Sequence, residues 1–319
     1  MLRMFAVATV GVMARVLVCS VMLLSVVAQE VEVAARVSET EGPATEGPTA
    51  DRAGNIYFTE MRTQRIMKLS KDGVLSTYRE KTSAIGLIID PRGRLIACEG
   101  GETPRVTRTD LRTGKIEILA DKYQGTPLKA PNDVTMDGKG RLYFTDTNGI
   151  AVYRIDASGK LARILAAPDI QRPNGIQVSP DDKKLYLVES NRSEGGARMI
   201  RSYDLQPDGS VRNMQIHYNF SPGRGADGMS IDTHGNLYAS AGTSHLRGPD
   251  SAGNISAETL DNKTGVYVIS PKGKLLKFIP IPEDTITNNT FGGADMKTLY
   301  ITAGKTLYKV RTEIAGLPR

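Results

Sequence analysis

The chain has 319 residues, a net charge of +6 and no tryptophan, and its 41 Lys and Arg are scattered among 35 Asp and Glu. The basic residues fall mostly in turns such as Ser70-Lys71-Asp72-Gly73, and no dense basic block carries interleaved aromatics, which argues against nucleic-acid binding. Two cysteines are present, Cys19 in an apolar N-terminal segment and Cys98 at the end of a predicted strand. If that segment is removed one thiol remains and no intrachain disulfide is possible, so Cys98 reads as a small buried hydrophobe.

Residues 1–28 have the make-up of a secretory signal. Arg3 and Arg15 supply positive charge, Val16 to Val27 is apolar, and Val26-Val27-Ala28 places small residues where cleavage is expected. A second apolar run, Met4 to Met13, makes the segment long and points to Met13 as an alternative start. The expected product is exported to the periplasm or outside the cell, with no stable membrane insertion after signal removal. An uncleaved segment anchoring the protein is the alternative. Residues 29–42 read as an N-terminal strand and linker, with Val31 to Val37 roughly alternating, and residues 43–319 as one domain.

That domain is built from a repeated unit. Glu46-Gly47 leads through a turn at Asp51 to Asn55 into Ile56-Tyr57-Phe58 and ends at Glu60. The unit returns from Ile85-Gly86 to Glu99, from Asn132-Asp133 to Asp146, and from Asn174-Gly175 to Glu189. Two further copies start at Asp227-Gly228 and at Asn289-Thr290. Recurrence at roughly 40–60 residues predicts an all-β, six-bladed propeller with four antiparallel strands per blade. Hairpin signals at Lys71-Asp72-Gly73, Ala157-Ser158-Gly159, Pro207-Asp208-Gly209 and Pro271-Lys272-Gly273 separate the outer strands. The last copy lacks an outer strand, and Val31 to Val37 is expected to supply it and close the ring.

Aligned on the Tyr of each unit (Ile96 in the second), the leading residues lie about eleven positions upstream. They are Glu46, Ile85, Asn132, Asn174, Asp227 and Asn289. Equivalent positions in a propeller ring the central channel, so five oxygen-bearing side chains are expected at one mouth. The competing reading is that Asn-Gly and Asp-Gly simply make turns. Glu60, Glu99, Asp146 and Glu189 end the second strands and return to the same mouth. They form a second set of acids, which either orients ligands or bonds backbone N–H groups between blades. Hard oxygen donors suit one divalent cation, Ca²⁺ first, with Mg²⁺, Mn²⁺ and Zn²⁺ as alternatives. None of the three histidines has a partner at ligand spacing, although His245 lies on a loop at the same end. The inserts near Tyr123–Leu128 and His245–Asp261 are expected to be loops over one mouth.

Glu46-Gly47-Pro48, Pro131-Asn132-Asp133, Arg172-Pro173-Asn174-Gly175 and Asp227-Gly228-Met229, in that order, resemble the senescence-marker-protein, gluconolactonase and luciferin-regenerating-enzyme family. The resemblance runs from about residue 43 to the C-terminus and implies a six-bladed propeller with one catalytic divalent metal. Most characterised members hydrolyse lactones. The family's metal ligands match Glu46, Asn174 and Asp227, and its substrate- or water-contacting Asn matches Asn132. Arg172 and Asn289 are further candidates for substrate contact. Mammalian members carry an Arg shortly before that Asn to hold a sugar. Here Ala130-Pro131 stands instead, so the resemblance implies a gluconolactonase-like activity without fixing a sugar-acid lactone as the specific substrate. The implied reaction is opening of a small-molecule lactone by water activated at the metal, with Asp227 as general base. A non-catalytic ligand-binding propeller and a metal-free enzyme like strictosidine synthase are the alternatives.

Overall fold

The computed structural model describes residues 30–37, 45–246, 248 and 253–318. The expected leader, the Met13 start and most of the linker lie outside the described residues. Among the described residues there is no helix, and six four-stranded antiparallel sheets account for the architecture. Blade one runs outward through Thr45–Ala50, Ile56–Glu60, Arg65–Leu69 and Leu75–Arg79. The inner strands of the next four blades are Ala84–Ile89, Pro131–Met136, Pro173–Val178 and Ala226–Ile231. Blade six begins at Ile286–Gly292 and passes through Thr298–Ala303 and Thr306–Arg311. Each inner strand touches the next, and the sixth returns to the first.

The repeat has a local cause. In the first hairpin of blade one, Asp51 Oδ1 accepts the N–H groups of Ala53 and Asn55, both at 2.9 Å. Asp90, Asp137 and Asp232 do the same in blades two, three and five. An aspartate bonding the backbone ahead of it fixes a tight turn and so fixes strand register. Between the sheets lie fully buried side chains such as Phe58, Leu95, Ile96, Leu185 and Leu187, each worth about 1.5–3 kcal/mol when removed from water. Cys98 is buried among them, and burial pushes its thiol well above the ordinary range.

The ring closes as the sequence predicts. Glu32–Arg36 pairs antiparallel with the Thr306–Arg311 strand, from Glu32 opposite Lys309 to Arg36 opposite Thr306, and forms the outer strand of blade six. Thr287 Oγ1 donates to the Thr45 carbonyl at 2.9 Å and Thr45 Oγ1 to the Gly304 carbonyl at 3.1 Å, joining last blade to first. The insert near Tyr123–Leu128 is not wholly irregular: Lys122–Tyr123 pairs with Thr126–Pro127 as a small hairpin.

The sixth copy needs a correction. Glu46, Ile85, Asn132, Asn174 and Asp227 each sit second in their inner strand. In blade six that place belongs to Thr287, because Ile286 pairs with Ala303 as Ala226 pairs with Ala241. Each strand of this hairpin is one residue longer before a turn of the same length: Gly292 pairs with Thr298, where blade five pairs Ile231 with Leu237. Alignment on Tyr300 therefore slips by two. Asn289 lies deeper, facing blade five.

Candidate active site

The third residue of each inner strand shows why the second residues form a tight ring. A Cβ on Gly47 would lie 2.0 Å from the Ile85 carbonyl oxygen, one on Gly86 2.4 Å from that of Asn132, and one on Gly175 2.6 Å from that of Asp227. Gly86 and Gly175 are strand residues with ordinary φ, so their role is close approach of neighbouring blades and not the turn chemistry of Asn-Gly and Asp-Gly pairs. Thr59 and Thr145 complete the contact, donating to the Ile85 and Asn174 carbonyls at 3.0 and 2.8 Å.

At this mouth Asn174 Nδ2 donates to Asp227 Oδ1 at 2.6 Å. Arg224 holds the other oxygen, Oδ2, at 3.0 Å. The same guanidinium donates to the carbonyls of Gly242 and Ile286, at 2.7 and 2.9 Å, so it ties blades five and six behind the carboxylate. Glu46 is buried, with Oε2 accepting the Gly47 N–H at 2.7 Å. Burial first, then the charges of Asp227 and Asp133, push its carboxyl well above the usual range. Asp133 is buried as well, and burial pushes it up to about 7 against the hydrogen bonds that favour its ionised form. Asn132 is half-buried beside it.

Two buried carboxyls, Glu46 and Asp133, thus lie where burial penalises their charge, near an Asp227 that has Arg224 as a close cationic partner. That is the donor chemistry a hard divalent cation satisfies. Among the described residues, no three His, Cys, Asp or Glu side chains are grouped to hold an ion by themselves. The residues that could hold a cation here are Glu46, Asp227 and, through its amide oxygen, Asn174. The amide must turn over to present it, since its nitrogen now faces Asp227.

The outer acids are occupied. Glu60 accepts the N–H groups of Arg62 and Thr63. Glu99 pairs with Arg79 and Arg105. Asp146 accepts from Lys129, Ala130 and Gly149, and Glu189 from Gln171 and Arg172. The backbone-bonding reading describes Glu60, Asp146 and Glu189, whereas Glu99 is held by side chains, and two of the four also steer the site. Asp146 pins the segment leading into Asn132 and Glu189 the segment leading into Asn174. Asn289 is buried and spent on blade five: it donates to the Tyr238 carbonyl and to Ser240 Oγ, both at 2.8 Å, and accepts from Ser230. His245 Nδ1 lies 3.1 Å from Asp284 Oδ2, and its side chain is 84 % exposed on the rim.

A cleft of about 20 Å³ at this mouth is lined by Arg172, Asn174, Arg192, Asp227 and Glu258, the last from the segment ahead of the Gly265–Ile269 strand. A larger cavity of about 760 Å³ opens at the opposite mouth. Its polar wall groups are largely bonded to one another or to backbone: Thr49 accepts from Ile89, Thr135 donates to Gln177, and Ser230 donates to Asn289. Asn174 and Asp227 lie at the smaller mouth, while Asp133 lines the larger cavity. Arg224, Asp133 and Asn288 were missed by alignment on the leading residue, although Arg224 stands three residues before Asp227 and Asp133 directly follows Asn132.

The chain belongs to the SMP-30/gluconolactonase/LRE-like family, whose model matches residues 44–305. It is 27% identical over 311 residues to a gluconolactonase of Zymomonas mobilis, covering 85% of this chain and 79% of the relative. It is 28% identical over 261 residues to a 6-deoxy-6-sulfogluconolactonase of Pseudomonas putida, with 78% and 79% covered. Among solved structures, a gluconolactonase from Xanthomonas campestris superposes with a TM-score of 0.72 at 26% identity, over 88% of this chain and 89% of that one.

Proposed function

We propose that the protein is a lactonase that opens the ring of a small cyclic ester with water. The observation that carries this reading is the meeting of Glu46, Asn174 and Asp227 at one mouth of a propeller whose relatives include gluconolactonases. In this reading those three residues hold one divalent cation, Ca²⁺ first among the hard ions. The bound cation supplies positive charge that polarises the lactone carbonyl and makes a water more acidic.

The remaining work falls to this chain's own side chains. Arg224 fixes Oδ2 of Asp227, so Oδ1, released when the Asn174 amide turns over, is the oxygen that takes a proton from water. The same carboxyl then returns the proton to the ring oxygen as it leaves. Asn132 is half-buried one residue from Asp133, where its amide can orient a water or a substrate oxygen. Arg172 lines the cleft wall beside Asn174 and contacts the substrate. The composition of residues 1–28 supports export of the enzyme. The test is a panel of aldonolactones and simple γ- and δ-lactones, each with and without chelator. Chelator-sensitive opening of at least one supports the proposal, and no opening of any would reject it.

A further inference from the structure

In a ring of six blades, blade three stands opposite blade six. The third residues of the inner strands are Gly47, Gly86, Asp133, Gly175, Gly228 and Asn288. Four are glycine, and the two that carry side chains lie on opposite blades. Their side chains reach each other: Asn288 Nδ2 stands 3.5 Å from Asp133 Oδ2. The glycines make the room. A Cβ on Gly228 would lie 2.0 Å from Asn288 Cγ, and one on Gly86 2.7 Å from Asp133 Oδ1. Both side chains also line the 760 Å³ cavity.

Asn288 is held rigidly. The Thr302 hydroxyl accepts its N–H and donates to its carbonyl, both at 3.1 Å. Asn288 Oδ1 accepts the Asn289 N–H at 2.9 Å. An amide whose oxygen is committed to its own backbone must point its NH₂ into the channel. There it also faces Glu46, whose ionised form it favours. One amide group therefore faces two buried carboxyls, on blades one and three, and packs on the residue that follows Asp227.

We infer that Asn288, bridging the channel to Asp133, is a positioning residue that fixes the Glu46 carboxylate for cation binding. The inference rests on the reading of Glu46, Asn174 and Asp227 as cation donors. Without Asn288, Glu46 keeps the Gly47 N–H but loses the amide that faces it across the channel, and the space over Gly228 empties. The effect passes through Glu46, so substrate contacts stay intact.

The test is calorimetric titration of the chelator-stripped full chain with Ca²⁺, alongside Asn288→Ala and Asn288→Ser. Serine keeps a polar group too short to cross the channel and serves if the alanine variant does not fold. The expected result is a Ca²⁺ dissociation constant raised about tenfold or more in the variants. At saturating Ca²⁺, the lactone KM should stay near the wild-type value while kcat falls. A merely structural role would lower thermal stability and leave the dissociation constant of the folded protein where it was. Variants that bind Ca²⁺ as tightly as wild type would overturn the inference alone. A wild-type chain that binds no divalent cation would overturn the metal reading and this inference with it.

Discussion

Substituting Gly175 by alanine separates close packing from turn chemistry as the reason for the ring glycines. The new Cβ would sit 2.6 Å from the Asp227 carbonyl oxygen and 3.0 Å from Gly228 Cα, where ordinary contact starts at 3.4 Å. The inner strands of blades four and five must therefore part by the difference, 3.4 − 2.6 = 0.8 Å. The nearest atoms are backbone, so no flexible side chain can swing away. Overpacking of this kind costs about 1–3 kcal/mol, and a backbone-on-backbone clash belongs near the upper end, about 3 kcal/mol. Gly73 is the control. It has φ +85° and nothing within 4 Å of the place a Cβ would take, so alanine there meets only the left-handed backbone penalty of about 1 kcal/mol. Denaturant unfolding of both variants measures the costs. Gly175→Ala should also weaken binding of a divalent cation, because Asn174 and Asp227 move apart with their strands, and Gly73→Ala should not. A Gly175→Ala protein as stable as wild type, or less perturbed than Gly73→Ala, would refute the close-packing account.

Asn174→Ala should lose cation affinity and regain part of its activity in excess metal, whereas Asn132→Ala should keep the cation and lose turnover worth a few kcal/mol at most, about the size of one hydrogen-bonding contribution. Equal cation loss in both would make Asn132 a fourth donor. Removing residues 30–37 deletes the strand paired with Thr306–Arg311 and should lower the melting temperature, and an unchanged value would mean that the closing strand adds no stability. Glu99 gives a pH test of the outer acids. Burial works against its ionised form, but the bonds from Thr107, Arg79 and Arg105 outweigh it and hold the carboxyl below its ordinary range. A depressed folded-state pKa contributes stability above the unfolded value of about 4.3 and loses it as pH falls through the folded value. Glu99→Gln should therefore destabilise the protein at pH 7, and the difference from wild type should shrink in acid. A difference independent of pH would show that the charge of Glu99 contributes nothing.

The fold was legible because its repeat has a local chemical cause. Asp51, Asp90, Asp137 and Asp232 place the same turn in four blades, and Val31–Val37 was recognisable as the strand missing from the sixth. Four of the mouth residues, Glu46, Asn132, Asn174 and Asp227, were legible for the same reason. Asn289 was misplaced because blade six adds one residue to each of two paired strands, which leaves the alternation of side chains looking normal. Asp133 and Asn288 were hidden for a different reason. Their significance depends on glycines in four other blades and on the two blades standing opposite each other, and neither is a property of a local stretch. The partners of Glu60, Glu99, Asp146 and Glu189 likewise come from loop backbone and from arginines whose approach the sequence does not encode locally.

The central claim is that Glu46, Asn174 and Asp227 hold a divalent cation on which lactone opening depends. The direct measurement is metal content of the purified chain and of Glu46→Gln, taken together with lactone opening by each before and after chelation. Glutamine keeps the shape of Glu46 and removes its charge. The account predicts about one divalent ion per wild-type chain, activity lost to chelator and restored by Ca²⁺ or a similar hard ion, and a Glu46→Gln protein that is folded, metal-poor and slow. Full activity after complete removal of metal, or stoichiometric metal retained by Glu46→Gln, would contradict it.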